Sequence, residues 1–206
     1  MPPKRIERDL LTRPSIDVAP WLLGRLLVHE TVAGRAVGRI VETEAYAGPA
    51  DRASHARSGR TPRTAVMFGE AGHAYVYLVY GMHHCINVVC GPDGTASAVL
   101  IRALEPVDGL GLMRARRGRT AGADARMAAG PARLTQALAI DRSHGGLDLV
   151  AGSELFLASA PDGPPPAIVL GPRVGIDYSG PEWATKPWRF GVAGSASLSR
   201  PFPVAA

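Results

Sequence analysis

The segment IVETEAY over residues 40–46 carries the first sign of chemistry, because Glu42, Glu44 and Tyr46 alternate and a strand would turn all three to one face. A carboxylate held there in a cleft could take a proton from water and stabilise nearby positive charge. A solvated strand face would give the same pattern. Tyr75, Tyr77 and Tyr80 crowd the end of a second segment, where rings can stack on bases, wedge between base pairs, or simply pack. His55 falls in a stretch, 48–72, broken repeatedly by Gly and Pro; loops of that length inside a domain are commonly functional. His83 and His84 stand beside Cys85, but strand neighbours face opposite ways, and no zinc-ligand spacing occurs in the chain. Between Arg114 and Arg133 six arginines stand against one acid, Asp124, which suits either phosphate contacts or a solvated helix face. Neither a P-loop nor a dinucleotide fingerprint is present.

These residues need a frame. Segments 36–46, 74–80, 84–90 and 97–104 are rich in Val, Ile and Tyr and read as strands, with Gly81 marking a hairpin turn between the second and third. Shorter strands are expected at 154–158, 167–170 and 173–178, with a Pro-rich turn at 161–166. Ser15 suits the cap of a helix running through residue 27, with Pro20 in its first turns, and further helices are expected over 107–117 and 131–138. The pattern predicts an α+β fold: one domain spanning 1–206, built on a curved, largely antiparallel sheet flanked by helices, with a protruding β-hairpin and flexible tails at 1–8 and 199–206.

Composition narrows the classes. The 206 residues are 46% hydrophobic and 20% charged, enough for a core without staples. No run reaches the roughly 20 apolar residues of a membrane span, and the N-terminus has no signal-peptide pattern, so the cytoplasm is the expected location, with nucleoid association if the partner is DNA. Cys85 and Cys90 would point to opposite faces of a strand and stay unpaired. The net charge of +5 and pI near 9.7 admit a polyanionic partner; of the 23 cationic residues only Lys4 and Lys186 are lysines, a bias that bidentate phosphate contacts or a GC-rich genome would equally produce.

Taken together, five ordered blocks resemble the alkyladenine (methylpurine, 3-methyladenine) DNA glycosylase family: GRIVETEAY at 38–46, YVYLVYGM at 75–82, IRALEP at 101–106, GPARLTQAL at 130–138 and PRVGI at 172–176. That resemblance implies a fold like the C-terminal domain of methionyl-tRNA formyltransferase. It implies that Glu44 activates the attacking water and Arg102 helps hold it. It further implies that Tyr46 and His55 stack on one face of a flipped base and Tyr77 on the other, that Tyr80 fills the gap left in the duplex, and that Asn87 crowds the purine 2-position. Thr64 stands where the family carries asparagine, and His83 and His84 where it often carries aromatic residues. The expected partner is double-stranded DNA bearing damaged purines, acted on by a monomer without metal or other cofactor. With Lys4 and Lys186 both remote from the blocks, plain hydrolysis is expected rather than Schiff-base lyase chemistry. Two other readings remain: a non-catalytic nucleic-acid-binding module, which leaves Glu44 and Arg102 unexplained, and a metal-dependent nuclease built on Glu42, Glu44 and His84.

Overall fold

The computed structural model describes residues 4–120, 122–160 and 165–203. Helix α1 (Ser15–Leu22) follows Pro14, which occupies the cap position, and it buries Val18, Ala19 and Leu22. Pro20 lies near its end rather than in its first turns. The helix stops earlier than the apolar spacing suggested, because Leu23 is extended and Gly24 adopts φ 85°, and the next residues form strand β1 (Leu26–Thr31) instead. Strand β2 (Gly34–Tyr46) returns antiparallel to it.

A hairpin comes next: β3 (Ala74–Val79) and β4 (His83–Cys90) pair antiparallel around a turn at 80–82. Strand β5 (Ser97–Asp108) extends past the expected end, so helix α2 (Leu110–Arg117) begins later than position 107. The short β6 (Ala128–Ala129) leads through Gly130 into α3 (Pro131–Leu138), whose first residue is proline as the sequence indicated. Strands β7 (Leu155–Ala158), β8 (Ile168–Gly171) and β9 (Arg189–Val192), with the short helix α4 (Pro181–Ala184), complete the described elements. No strand forms over 173–178; Arg173 is buried there and Asp177–Ser179 is a 3-10 turn, while β9 was not anticipated. Most of the expected turn at 161–166 lies outside the described residues.

All the paired strands run antiparallel, in the order β3-β4-β5-β2-β1-β7. One edge of β2 pairs with β5 along its length; the other pairs first with β1 and then with β9, which splits the curved sheet at its middle. The fold is therefore the expected α+β type. Helices α1 and α3 cover its buried side, where Leu22, Leu27, Ile40, Ile101 and Leu134 join one core. The described parts of the expected tails are packed: Ile6 is buried, Arg8 pairs with Asp148 at 2.6 Å, and Ser199 bonds to Glu42.

Of three irregularities in the β2–β5 ladder, one lies near its end between Val37 and Gly38, and the other two set the positions of its buried charges. Ile40 faces Leu104, Glu42 faces Ala103 and Thr43 faces Ile101. Val41 and Arg102 are thus each an extra residue, one per strand, and the two bulges cancel so that Glu44 again faces Leu100. Bulges re-aim side chains, and this pair brings Arg102 between the two glutamates of β2.

Candidate active site

Glu42 and Glu44 are both 0% exposed, which rules out a solvated strand face. Arg102 lies between them, with Nε 3.0 Å from Glu42 Oε1 and Nη1 3.2 Å from Glu44 Oε1. Burial alone would lower its pKa, but the carboxylates of Glu44 and Glu42 outweigh that and raise it, so the guanidinium is firmly charged.

The two carboxylates have different company. Besides Arg102, Glu42 is held by three donors: Arg189 Nη1 lies 3.2 Å from Oε1, the Ser199 hydroxyl donates to Oε1 at 2.8 Å, and the Ser199 N–H donates to Oε2 at 2.6 Å. Glu44 accepts from the Val174 N–H at 2.8 Å and from the Tyr46 hydroxyl at 2.9 Å, and it faces a cleft of about 480 Å³. A carboxylate has about four acceptor sites. With Arg102, Val174 and Tyr46 occupying three, Glu44 retains capacity for a water in the cleft, whereas Glu42, held by four donors, lines no part of it.

Tyr46 remains a neutral donor, because burial first and the Glu44 charge second push its pKa well up. Its ring lies under the Arg173 guanidinium, 4.8 Å from the ring centroid. Arg173 in turn makes a fully buried pair with Asp51 at 2.5 Å and donates to the Ala45 carbonyl at 2.9 Å. Asp51 also accepts from the Ala47 and Ala53 N–H groups, so this one buried pair fastens the loop that carries His55. Ser54 then caps the 3-10 turn His55–Ser58.

His55 faces the cleft with both ring nitrogens engaged. Arg63, which can only donate, approaches Nε2 at 3.3 Å, leaving Nδ1 to donate to the Tyr75 hydroxyl at 2.9 Å. Burial, reinforced by Arg63, lowers its pKa to about 4, so the ring is neutral at neutral pH. His55 and Tyr77 meet edge to face with centroids 4.5 Å apart. Since stacked aromatic groups themselves need centroid spacings of about 4.5–7 Å, no base fits between these two rings until they separate.

Asn87 is buried in the cleft wall, its amide donating to the Tyr75 carbonyl at 3.0 Å. Tyr80 is at the rim on the hairpin turn, 88% exposed, with φ 52°. A bulky residue in the left-handed region is unfavourable, and such strain concentrates at functional positions. Exposed Met82 and Leu78 flank it, making an apolar tip.

The structure thus gathers Glu44, Arg102, Tyr46, His55, Tyr77, Tyr80 and Asn87 around one cleft. His83, His84 and Glu42 lie outside its lining, which removes the geometric basis for a three-residue metal site there. The arginines of 114–133 are mostly committed internally: Arg114 to Asp124, Arg116 to the Ala137 carbonyl, Arg117 to Gln136, and Arg126 to the Leu198 carbonyl. Arg63 and Arg200 line the cleft instead, and Arg52 and Arg57 line a hollow adjoining it. A larger open concavity, about 1250 Å³, borders Trp21, Arg25 and Arg39 and contains none of the seven candidates. Sequence reasoning gave no role to Asp51, Arg173, Val174, Arg189 or Ser199, although Arg173 and Val174 stand in the block at 172–176, because their contacts are made between separate segments or through a backbone N–H.

The methylpurine-DNA glycosylase (MPG) family model matches residues 9–196. A protein of Anaeromyxobacter dehalogenans named "Putative 3-methyladenine DNA glycosylase" is 52% identical over 200 residues, covering 97% of this chain and 88% of its own. Proteins of the same name from Streptomyces avermitilis and Methanocella arvoryzae are 48% and 47% identical, covering 94% and 96% of this chain and 90% and 97% of theirs.

Proposed function

The chain belongs to the methylpurine-DNA glycosylase family, and from that premise we propose that Glu44 activates the water that displaces a damaged purine from its sugar. The protein is a monofunctional alkylpurine DNA glycosylase, a hydrolase of N-glycosidic bonds. The observation that supports the assignment within the site is the unequal access of the two glutamates: of the pair, only Glu44 lines the cleft, with an acceptor position left free there.

The sugar carbon attacked in this reaction is inaccessible inside stacked DNA, so the nucleotide must rotate out, at a cost of a few kcal/mol. Tyr80 offsets part of that cost by entering the duplex where the base left. Tyr46, His55 and Tyr77 receive the base, each stack contributing about 1–3 kcal/mol; the His55–Tyr77 contact opens to admit it. Bond cleavage develops oxocarbenium character on the sugar. Glu44 takes the proton of the water and stabilises that charge, while Arg102 fixes the carboxylate's position. The products are free base and an abasic site.

Alkylated and deaminated purines such as 3-methyladenine, 7-methylguanine, hypoxanthine and ethenoadenine are the proposed substrates, because weakened pairing lowers the cost of flipping. Duplex DNA is the proposed partner, gripped near the cleft by Arg63 and Arg200, and the protein is proposed to act as a monomer. Among the described residues no helix is long and apolar enough to cross a membrane. Lys186 lines no part of the cleft and lies over Trp183 at 3.8 Å, consistent with hydrolysis without an amine nucleophile.

The test is free-base release across a panel of duplexes, each holding one modified purine, with Glu44→Gln and Glu42→Gln beside the wild type. Glu44→Gln should bind lesion DNA and release no base, while folded Glu42→Gln retains release. Equal release by Glu44→Gln and the wild type would overturn the mechanism.

A further inference from the structure

Outside the cleft, two histidines meet across 115 positions of sequence. His29, on β1, is 4% exposed, and His144, in a 3-10 turn at Arg142–His144, is 8% exposed. Their Nε2 atoms lie 3.3 Å apart and their rings stand at 87°. The exposed Glu154 completes the group, with one ligand atom from each residue within 4.8 Å of the others. None of the three lines the cleft.

We propose that His29, His144 and Glu154 form a binding site for one divalent transition-metal ion of the zinc class. Two nitrogens bound to tetrahedral zinc at about 2.0–2.1 Å must lie about 3.3–3.4 Å from each other, which is the separation found here. The mixed imidazole and carboxylate donor set suits that ion, and the group borders an open groove, so an ion and completing waters can reach it.

The second contact of His29 is also that of a metal ligand. His29 Nδ1 donates to the Leu138 carbonyl at 2.6 Å, which fixes the tautomer with the Nε2 lone pair free. His144 Nδ1 has the Asp141 carboxylate at 3.2 Å, an orienting partner of the same kind. Without metal, the Asp141 N–H donates to His144 Nδ1 at 3.1 Å, so the ring proton is on Nε2 and is shared with His29. Metal binding moves that proton from Nε2 to Nδ1, where Asp141 Oδ1 accepts it, and breaks the bond from the Asp141 N–H, which turns to solvent; both rings stay neutral, and each presents Nε2 to the ion.

The competing explanation is a hydrogen-bonded pair that merely caps the end of α3 through the Leu138 carbonyl. Zinc alone separates the two. Metal-stripped full-length protein is dialysed against Zn²⁺ and the bound metal counted, with Co²⁺ as a spectroscopic stand-in. One Zn²⁺ per chain, and a Co²⁺ spectrum with the intense visible bands of tetrahedral coordination, are expected. His144→Gln should lose the stoichiometric ion, and Asp141→Ala should weaken binding about 10–100-fold. If His144→Gln does not fold, Glu154→Gln, altered only at an exposed side chain, should still lower the affinity and change the Co²⁺ spectrum. Failure of the wild type to take up Zn²⁺ at micromolar free metal would overturn the site. So would uptake abolished by His55→Gln but untouched by His144→Gln and Glu154→Gln.

Discussion

Arg102→Met isolates the electrostatic centre of the site, because methionine keeps apolar bulk while removing the charge between two buried carboxylates. Glu42 would retain Arg189 and both Ser199 contacts. Glu44 would have no cation left within salt-bridge distance among the described residues. At 3.2 Å and an effective dielectric of about 20, the lost attraction to Glu44 is about 5 kcal/mol before solvent and structure relax. Breaking a buried pair from one side typically costs about 3–5 kcal/mol, and Arg102→Met should fall in that range. The informative comparison is the double variant Arg102→Met/Glu44→Gln, in which no stranded charge remains. Its destabilisation should fall short of the sum of the singles by about 0.5–3 kcal/mol, the usual size of coupling between residues in contact. Urea unfolding of the four proteins, followed by tryptophan fluorescence, gives the cycle. Additive effects, or an Arg102→Met cost under about 1 kcal/mol, would refute a charge-coupled centre.

Tyr80→Ser should leave the unfolding midpoint unchanged, since the side chain is exposed, and weaken lesion-DNA binding by about 1–3 kcal/mol. A reporter base beside the lesion should show a smaller flipped population, and an unaltered one would remove the wedge role. Asn87→Ser should increase guanine release from undamaged duplex by leaving room at the purine 2-position; unchanged release would count against that placement. The His55 ring should titrate near pH 4 by NMR, against an ordinary imidazole value of 6.5. Because the unfolded chain binds that proton first, His55 makes stability fall as pH drops from about 6.5 towards 4 and adds no further loss below. A midpoint near 6.5 in the folded protein would contradict the burial of this ring.

Much of the candidate site was legible because Glu42, Glu44 and Tyr46, and likewise Tyr75 and Tyr77, keep the two-residue spacing of a strand, and Gly81 marks the hairpin turn. Glu44 and Tyr46 could be placed on one face from spacing alone, although which glutamate has a free acceptor position depends on Ser199 and Val174, more than a hundred residues away. Strand β1 was hidden by its own composition: Leu22, Leu23, Leu26 and Leu27 satisfy helical spacing, and only Gly24 in a left-handed conformation separates helix from strand. Strand β9 is four residues long and owes its form to pairing with β2 and β8, which no local pattern encodes. The Asp51–Arg173 and His29–His144 contacts are likewise tertiary, joining residues that carry no mutual spacing signal.

The paired bulges at Val41 and Arg102 bear on how this scaffold could be rebuilt. Since each strand contributes one extra residue, removing both would leave the ladder regular from Gly38 to Tyr46, while the pairings up to Ile40 and from Thr43 onwards kept their partners. A double deletion would therefore excise the guanidinium together with the backbone distortion that aims it, whereas either deletion alone would shift the register and turn later side chains to the wrong face. Between Gly38 and Tyr46 the sheet is, in that sense, a regular lattice with one removable insert, and chemistry could be stripped from the scaffold or transplanted to another antiparallel ladder as a matched pair of single-residue insertions.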